Sequence, residues 1–242
     1  MNRTLVIGDI HGGLKALVQL LERAEVTPDD QLIFLGDYVD GWSDSANVVT
    51  YLIELAKQNT CIFLRGNHDD LTHRWLRDGE LNEKWLQHGG QSSIDAYRQF
   101  SEEEKEEHIR FFDQMVNYYI DKEERLFVHA GFTNQKGPEE EYTPTPFYWD
   151  RTLWEMALCI DPALEPGDIG YPKRLELFKE IFIGHTPVTR IGQTKPFKAA
   201  NIYNVDTGAA FKGRLSLMDV YSKEVYQSDE VWRLYPSENG RN

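Results

Sequence analysis

The chain has 242 residues, of which 40% are hydrophobic and 27% are charged, a composition that is ordinary for a globular enzyme with one substantial core. Its formal net charge is −14, which argues against a protein that grips nucleic acid through clustered Lys and Arg. Its apolar runs have the length of strands, so neither a membrane span nor a signal peptide is predicted. Its two cysteines, Cys61 and Cys159, predict no disulfide framework, and a cytoplasmic location is expected.

Strand-like and helix-like segments alternate at the start of the chain. Apolar runs predict strands at residues 4–8, 31–35 and 61–64. Helical spacing of apolar residues predicts helices at residues 14–24 and 45–57. This succession implies a sheet with crossover helices, and therefore an α/β (α+β) fold. The whole chain, 1–242, is predicted to form a single domain.

The middle of the chain, residues 69–117, is predicted to be mostly helical. Within it, Ser101 is a predicted N-cap, because Glu104 stands three residues later and the acidic run complements the positive end of a helix. His108 lies in this charged helix and is predicted to be on the surface. His73 and His88 are predicted to be solvated or structural rather than catalytic.

From residue 118 onward the pattern favours strands. The predicted strands are residues 118–121, 126–129, 181–184, 201–205, 215–221, 224–227 and 231–234. Residues 122–124 predict a turn, and residues 137–146, which contain several prolines, predict a loop.

Acidic, amide and imidazole residues recur where the predicted strands end. The sequences are Gly8-Asp9-Ile10-His11-Gly12, Gly36-Asp37-Tyr38-Val39-Asp40, Arg65-Gly66-Asn67-His68-Asp69, His129-Ala130-Gly131 and Gly184-His185-Thr186-Pro187. Strand ends in such a sheet are where ligands gather, and carboxylate and imidazole groups suit divalent metals. Two metal ions can polarise a phosphoryl oxygen and activate water. His68 is then the natural general acid, if Asp40 orients it and raises its pKa.

These motifs resemble the signature of the calcineurin-like metallophosphoesterases, and within them the phosphoprotein phosphatase family in its small bacterial and phage type. That signature reads Gly-Asp-x-His-Gly, Gly-Asp-x-Val-Asp-Arg-Gly, Gly-Asn-His-Glu or -Asp, His-Ala-Gly and Gly-His, and the match runs from residue 8 to about residue 215. The Asp206-Thr207-Gly208-Ala209 stretch and the Gly89-Gly90 pair are also similar to these small members. The resemblance implies a central β-sandwich flanked by helices.

The resemblance also implies roles for individual residues. Asp9, His11 and Asp37 would hold the first metal, and Asp37, Asn67, His129 and His185 would hold the second, with Asp37 bridging. His68, paired with Asp40, would protonate the leaving group. Arg151 is similar to the arginine that clamps the phosphate, and its alternative is a surface arginine.

One departure from the family signature concerns the phosphate pocket. The family continues Asp-Arg-Gly, whereas this chain reads Asp40-Gly41-Trp42. The absent arginine removes a charge-assisted contact worth about 1.5–3 kcal/mol. We expect Arg151 to carry the role alone, Arg65 to point elsewhere and Trp42 to be packed in the core, with a flat wall for a nucleobase as its alternative.

The leading functional prediction is a dinuclear phosphomonoesterase that acts on phosphorylated proteins (Ser/Thr, and also Tyr) and small aryl phosphates. Manganese is the first expectation for the two divalent ions, with iron, zinc, cobalt or nickel as alternatives. The second hypothesis is a nucleotide hydrolase of the symmetrical diadenosine tetraphosphate hydrolase type. The third is a non-enzymatic binding module, which predicts damaged ligands, although here all are intact. The expected partner is a phosphoprotein or small phosphoester, without nucleic acid or membrane.

Overall fold

A computed structural model describes residues 3–241, which contain two five-stranded sheets. The first sheet has the spatial order β10 (Val225–Glu230), β9 (Arg214–Asp219), β1 (Thr4–Ile7), β2 (Gln31–Phe34), β3 (Thr60–Phe63). The second has the order β4 (Tyr118–Ile120), β5 (Arg125–Val128), β6 (Glu180–Ile183), β8 (Ile202–Asn204), β7 (Phe197–Ala199). Strands β1, β2 and β3 pair in parallel, as do β5, β6 and β8, so the carboxyl ends within each group lie at one edge of its sheet.

Ten α-helices surround these sheets in the described part of the chain. They are α1 (Leu14–Arg23), α2 (Ser45–Leu55), α3 (Asn67–Asp78), α4 (Glu83–Trp85), α5 (Gln91–Tyr97), α6 (Glu102–Asp113), α7 (Thr145–Trp149), α8 (Thr152–Cys159), α9 (Lys173–Glu176) and α10 (Val231–Leu234). A π-helical turn at Leu86–Gly90 joins α4 to α5, and 3₁₀ turns occur at Pro138–Glu140 and Val188–Ile191. Between residues 3 and 241, no helix is long and apolar enough to cross a membrane.

The two sheets pack face to face. Val6 and Ile33 of the first sheet share a fully buried cluster with Phe127 and Phe182 of the second. The neighbouring residues of β1 and β2 point the opposite way, and Leu5 packs in the cluster that α1 and α2 cover. Such continuous apolar strands are expected where both faces of a sheet are covered. The predicted α/β architecture, a central β-sandwich flanked by helices, is confirmed.

Several boundaries and one element type differ from the sequence predictions. Residues 231–234 form helix α10 instead of a strand, because Val231 and Tyr235, four residues apart, are the buried positions. The predicted loop at 137–146 already enters α7 at Thr145. The short edge strand β7 was not predicted. Ser101 caps α6 as predicted, since its hydroxyl accepts the Glu104 N–H at 3.3 Å.

His108 is buried, so its predicted surface position was wrong. It lies on α6 between two other helices, where its Nδ1 and the Tyr97 hydroxyl are 2.9 Å apart and its Nε2 and the Thr50 hydroxyl are 3.1 Å apart. Burial lowers the pKa of His108 to about 4. The charged residues before it on α6 suggested an exposed helix face, whereas packing against α2 and α5 buries His108.

Replacing His108 with Gln is expected to change how stability depends on pH. The unfolded chain binds a proton at His108 near the ordinary pKa of 6.5, whereas the folded chain does so only near 4. The contribution of His108 to stability is therefore complete above pH 6.5 and is lost as the pH falls toward 4, by about 1.4 kcal/mol per pH unit. Urea unfolding of wild type and His108→Gln at a series of pH values measures this directly. The difference in free energy of unfolding should shrink on acidification, and a constant difference would contradict the prediction.

Candidate metal centre

The six predicted metal ligands lie together at one edge of the sandwich, where strands of both sheets end. They are Asp9, His11, Asp37, Asn67, His129 and His185. His11, Asp37 and His185 have left-handed backbone conformations, with φ of 51°, 54° and 66°. Residues with a side chain seldom adopt this conformation, so the surrounding structure must impose it on these three turns.

Two glycines allow carboxylates to lie directly against the backbone. A Cβ at Gly66 would lie 2.2 Å from Asp37 Oδ1, and one at Gly184 would lie 2.1 Å from Asp9 Oδ1. Asp69 holds the Asp37 turn from the other side, because its carboxylate accepts the N–H groups of Asp37 and Gly66 at 2.7 and 2.8 Å. The orientation of Asp37 is thus set by backbone shape and by hydrogen bonds together.

One group of ligands contains the four residues predicted for the second metal, Asp37, Asn67, His129 and His185. His129 donates from Nδ1 to the Leu35 carbonyl at 2.9 Å, so its Nε2 presents a lone pair. That Nε2 lies 3.2 Å from both Asn67 Oδ1 and His185 Nδ1, and 3.5 Å from Asp37 Oδ2. Several electron-pair donors therefore converge on one small space, which is the arrangement that a divalent cation satisfies. The other nitrogen of His185, Nε2, is buried without a hydrogen-bond partner among residues 3–241.

The ligands predicted for the first metal, Asp9, His11 and Asp37, form the other group. His11 donates from Nδ1 to the Asp40 carbonyl at 2.9 Å, so its Nε2 carries the lone pair. This Nε2 lies 3.4 Å from Asp37 Oδ2 and 3.9 Å from Asp9 Oδ2. Two sets of three side chains each have ligand atoms that all lie within 4.8 Å of one another: one is His11, Asp37 and His68, and the other is Asp37, His129 and His185. Asp37 Oδ2 faces both groups, as a bridging ligand would.

The centre carries more buried negative charge than it can hold without cations. Burial raises the pKa of Asp9 well above its ordinary value, and the nearby charges of Asp206 and Asp37 raise it further. Burial likewise raises the pKa of Asp37 to about 7 and that of Asp206 to about 6. Closely spaced buried carboxylates are costly unless cations neutralise them. The donor set and its charge therefore fit two divalent ions.

Asp206 is a member of this centre to which the sequence analysis assigned no role. It lies after β8, is 3% exposed, and its negative charge raises the pKa of Asp9. The sequence feature that could have pointed to Asp206 was the Asp206-Thr207-Gly208 stretch, which is similar to the family. That similarity does not show that Asp206 lies beside Asp9.

Asp40 anchors His68 at the rim of the centre. Its Oδ2 accepts from His68 Nδ1 at 2.7 Å and from Trp85 Nε1 at 2.5 Å. Its Oδ1 accepts from Ser93 Oγ at 2.5 Å and from Thr72 Oγ1 at 3.1 Å. Four donors fix the carboxylate, and the carboxylate in turn fixes the proton of His68 on Nδ1 and turns Nε2 toward the cavity.

The expectation that Asp40 raises the pKa of His68 is not met. Burial lowers the pKa of His68 well below its ordinary value, and the positive charge of Arg241 acts in the same direction. The imidazole is accordingly neutral in the protein alone. Burial also raises the pKa of Asp40 to about 6, against the lowering effect of its hydroxyl and indole donors.

A cavity of about 570 Å³ opens over the centre. Its wall carries the cationic side chains Lys84, Arg151, Arg190 and Arg241. Arg151 is exposed on this wall, at the start of α8. Arg241 comes from the end of the chain, where no sequence motif indicated a site residue.

Two other sequence expectations concern residues outside the cavity. Trp42 is fully buried, donates from Nε1 to the Ala209 carbonyl at 2.8 Å and stacks on Tyr235, so it is packed as expected. Arg65 lies 2.9 Å from His73 Nδ1 and does not line the cavity.

Comparisons with known proteins agree with this geometry. A family model described as calcineurin-like phosphoesterase matches residues 2–211. Bis(5'-nucleosyl)-tetraphosphatase PrpE (asymmetrical) of Oceanobacillus iheyensis is 25% identical over 90% of this chain and 89% of that protein. The protein of the same name from Bacillus anthracis is 28% identical over 88% of each. A protein serine/threonine phosphatase structure from Saccharomyces cerevisiae superposes with a TM-score of 0.63 at 14% identity, covering 94% of this chain and 80% of that one.

Substitution of Asp37 with Asn is expected to reduce the bound metal at both positions, because Asp37 Oδ2 faces both groups of ligands. His68→Asn is expected to retain two ions, since His68 is held through Asp40. Metal content after loading with Mn²⁺ and desalting, measured by mass spectrometry, checks both. Loss of metal from the His68 variant would show that His68 is a ligand.

Proposed function

Because the chain belongs to the calcineurin-like phosphoesterases and is thus a metal-dependent hydrolase of phosphoric esters, we propose that its substrate is a bis(5'-nucleosyl) tetraphosphate. The observation that carries this proposal is the cavity wall, with four cationic side chains in a protein of net charge −14. The names of the two relatives with near-complete coverage support it. The phosphoprotein phosphatase predicted first from the sequence therefore ranks second, since the yeast phosphatase supports only the fold.

The cavity suits a polyphosphate better than a single phosphate. Lys84 lies on the wall formed by the α3–α5 segment, whereas Arg151 and Arg190 line the wall on the side of the second sheet. Cations on both sides of the metal centre can neutralise several phosphates along a chain, and guanidinium groups bind them through paired hydrogen bonds. A single phosphoserine offers one phosphate and leaves most of these cations unpaired.

The same cavity offers apolar surface for a nucleoside. Trp149 is 44% exposed and lines the cavity together with Phe211. Stacking of a base on an aromatic side chain is worth about 1–3 kcal/mol. The volume of about 570 Å³ lies within the range that accommodates small-molecule ligands.

The roles of the residues follow from their placement. Two divalent ions held by the six ligands and stabilised by Asp206 would polarise the scissile phosphate and lower the pKa of a water molecule. His68 presents Nε2 to the cavity and would donate a proton to the departing oxygen. The bound substrate supplies negative charge beside the imidazole, which favours its protonated form despite burial. Asp40 keeps the ring oriented during this transfer.

Product analysis of P1,P4-di(adenosine-5') tetraphosphate hydrolysis tests the proposed substrate. Asymmetrical cleavage, as in the names of the relatives, gives a nucleoside triphosphate and a monophosphate, whereas the symmetrical type considered from the sequence gives two diphosphates. We expect ATP and AMP from Mn²⁺-loaded protein, resolved by ion-exchange chromatography. Two molecules of ADP would instead support the symmetrical type. A kcat/KM for phosphopeptides above that for the dinucleotide would overturn the substrate assignment.

His68→Asn is expected to reduce kcat by about 10²–10⁴-fold, the usual contribution of a positioned acid. The loss should be smaller for a phosphoanhydride than for an alkyl phosphate, because the leaving phosphate needs less protonation than an alkoxide. His73→Asn is the matched control, since His73 lies on the same helix but contacts Asp113 outside the cavity. Equal kcat values for the His68 variant and wild type on both substrates would exclude the acid role.

A further inference from the structure

The end of the chain folds back onto the loop that follows Asp40. Tyr235 stacks on Trp42 with ring centroids 5.3 Å apart and donates its hydroxyl to Asp44 at 2.6 Å. Glu238 accepts both the backbone N–H and the hydroxyl of Ser43, at 2.9 and 2.7 Å. Three consecutive residues, Trp42, Ser43 and Asp44, therefore hold the terminal segment, and each of them uses its side chain. The family signature has a glycine at the position of Trp42 and specifies no residue at the next two positions.

The turn at Gly240 and Arg241 places the Arg241 side chain on the cavity wall. The Arg241 N–H donates to the Ala210 carbonyl at 2.9 Å. A Cβ at Gly240 would lie 2.8 Å from the Trp42 ring, so the backbone passes directly over the indole. With its backbone held at this place, Arg241 lines the cavity over the metal centre.

The side chain of Arg241 passes between two glycines. A Cβ at Gly41 would lie 3.2 Å from Arg241 Cγ, and one at Gly89 would lie 3.1 Å from the same atom. An arginine at position 41, where the family signature has one, would occupy the space that the Arg241 stem fills. The absence of an arginine at position 41 therefore leaves the space that the Arg241 side chain occupies.

The guanidinium of Arg241 ends at the metal centre without a strong partner. Its Nη1 lies 3.3 Å from His11 Nε2, and its Nε is buried with no hydrogen-bond partner among residues 3–241. A half-buried guanidinium with open donors is costly until an anion accepts them. Its place on the cavity wall makes a substrate anion the natural acceptor.

We propose that Arg241 binds a phosphate of the substrate and replaces the arginine that the family carries after the second aspartate of its Gly-Asp motif. The C-terminal segment is then part of the substrate site, and Arg151 does not carry the phosphate contact alone. This inference rests on the proposed function only in that the substrate is a phosphate compound, whichever ester it is.

Inorganic phosphate is the probe for this inference, with Mn²⁺-loaded wild type compared with Arg241→Gln and Arg241→Lys. Its Kd from calorimetry, and its Ki against an aryl phosphate, should rise roughly tenfold to a hundredfold in Arg241→Gln. Arg241→Lys should lie between, because it keeps the charge but loses the planar fork of donors. Arg233→Gln is the matched control, since Arg233 pairs with Glu230 on the surface of α10 and should leave both constants unchanged.

Glu238→Gln provides a second variant that leaves the guanidinium in place. It weakens the attachment to Ser43 and should raise the Kd of phosphate in the same direction but less. Thermal melting verifies that each variant is folded.

Unchanged Kd and Ki in folded Arg241→Gln would overturn the inference. An altered Mn²⁺ affinity with an unchanged phosphate Kd would also overturn it, because Arg241 would then act on the metal site through His11. Failure to cleave the dinucleotide would count against the proposed substrate alone, since the phosphate measurements do not depend on it.

Discussion

The placement of the Asp37 carboxylate between two groups of imidazole ligands is the constraint on which the rest of the site depends. Its Oδ2 lies 3.4 Å from His11 Nε2 and 3.5 Å from His129 Nε2, while its Oδ1 accepts the His68 N–H at 2.9 Å. A buried carboxylate in this position needs a turn of unusual shape, so the backbone at Asp37 is left-handed and Gly66 lies against it without a Cβ. The sandwich supplies that turn by bringing the ends of parallel strands from two sheets to one edge.

The helical segment that lies between β3 and β4 in the sequence contacts the site through Asp40. Trp85 and Ser93 come from helices α4 and α5, yet both donate to the carboxylate that orients His68. The π-helical turn between them contains Gly89, which also makes room for Arg241. A segment that covers one side of the cavity thus sets the geometry of the candidate acid as well as the access of a terminal arginine. Loss of packing in this segment would reach the active site without touching a metal ligand.

The net negative charge of the chain and the positive charge of its cavity wall are compatible, because they would act on a bound anion over different distances. Exposed acidic residues on α6 are screened by solvent within about 10 Å at moderate salt. The cations on the cavity wall, and metals held by the candidate ligands, would act at contact distance on a substrate that excludes water. An anion can therefore bind tightly to a protein of net charge −14.

Local sequence was sufficient to predict strands β1, β2 and β3 and the motifs that contain the six candidate ligands, because each motif follows a strand and includes a glycine. The resemblance of these motifs to a known family predicted the sandwich fold. Local sequence was insufficient wherever a residue's role depends on a partner distant in the chain. Asp206 meets Asp9, Trp85 meets Asp40, and His108 is buried by Tyr97, all through contacts that have no local pattern. Arg241 is the extreme case, since 230 residues separate it from His11. The candidate metal ligands lie in short sequence motifs, whereas the arrangement of charge around the cavity was decided by tertiary packing, because only the folded chain brings such distant side chains within hydrogen-bonding distance.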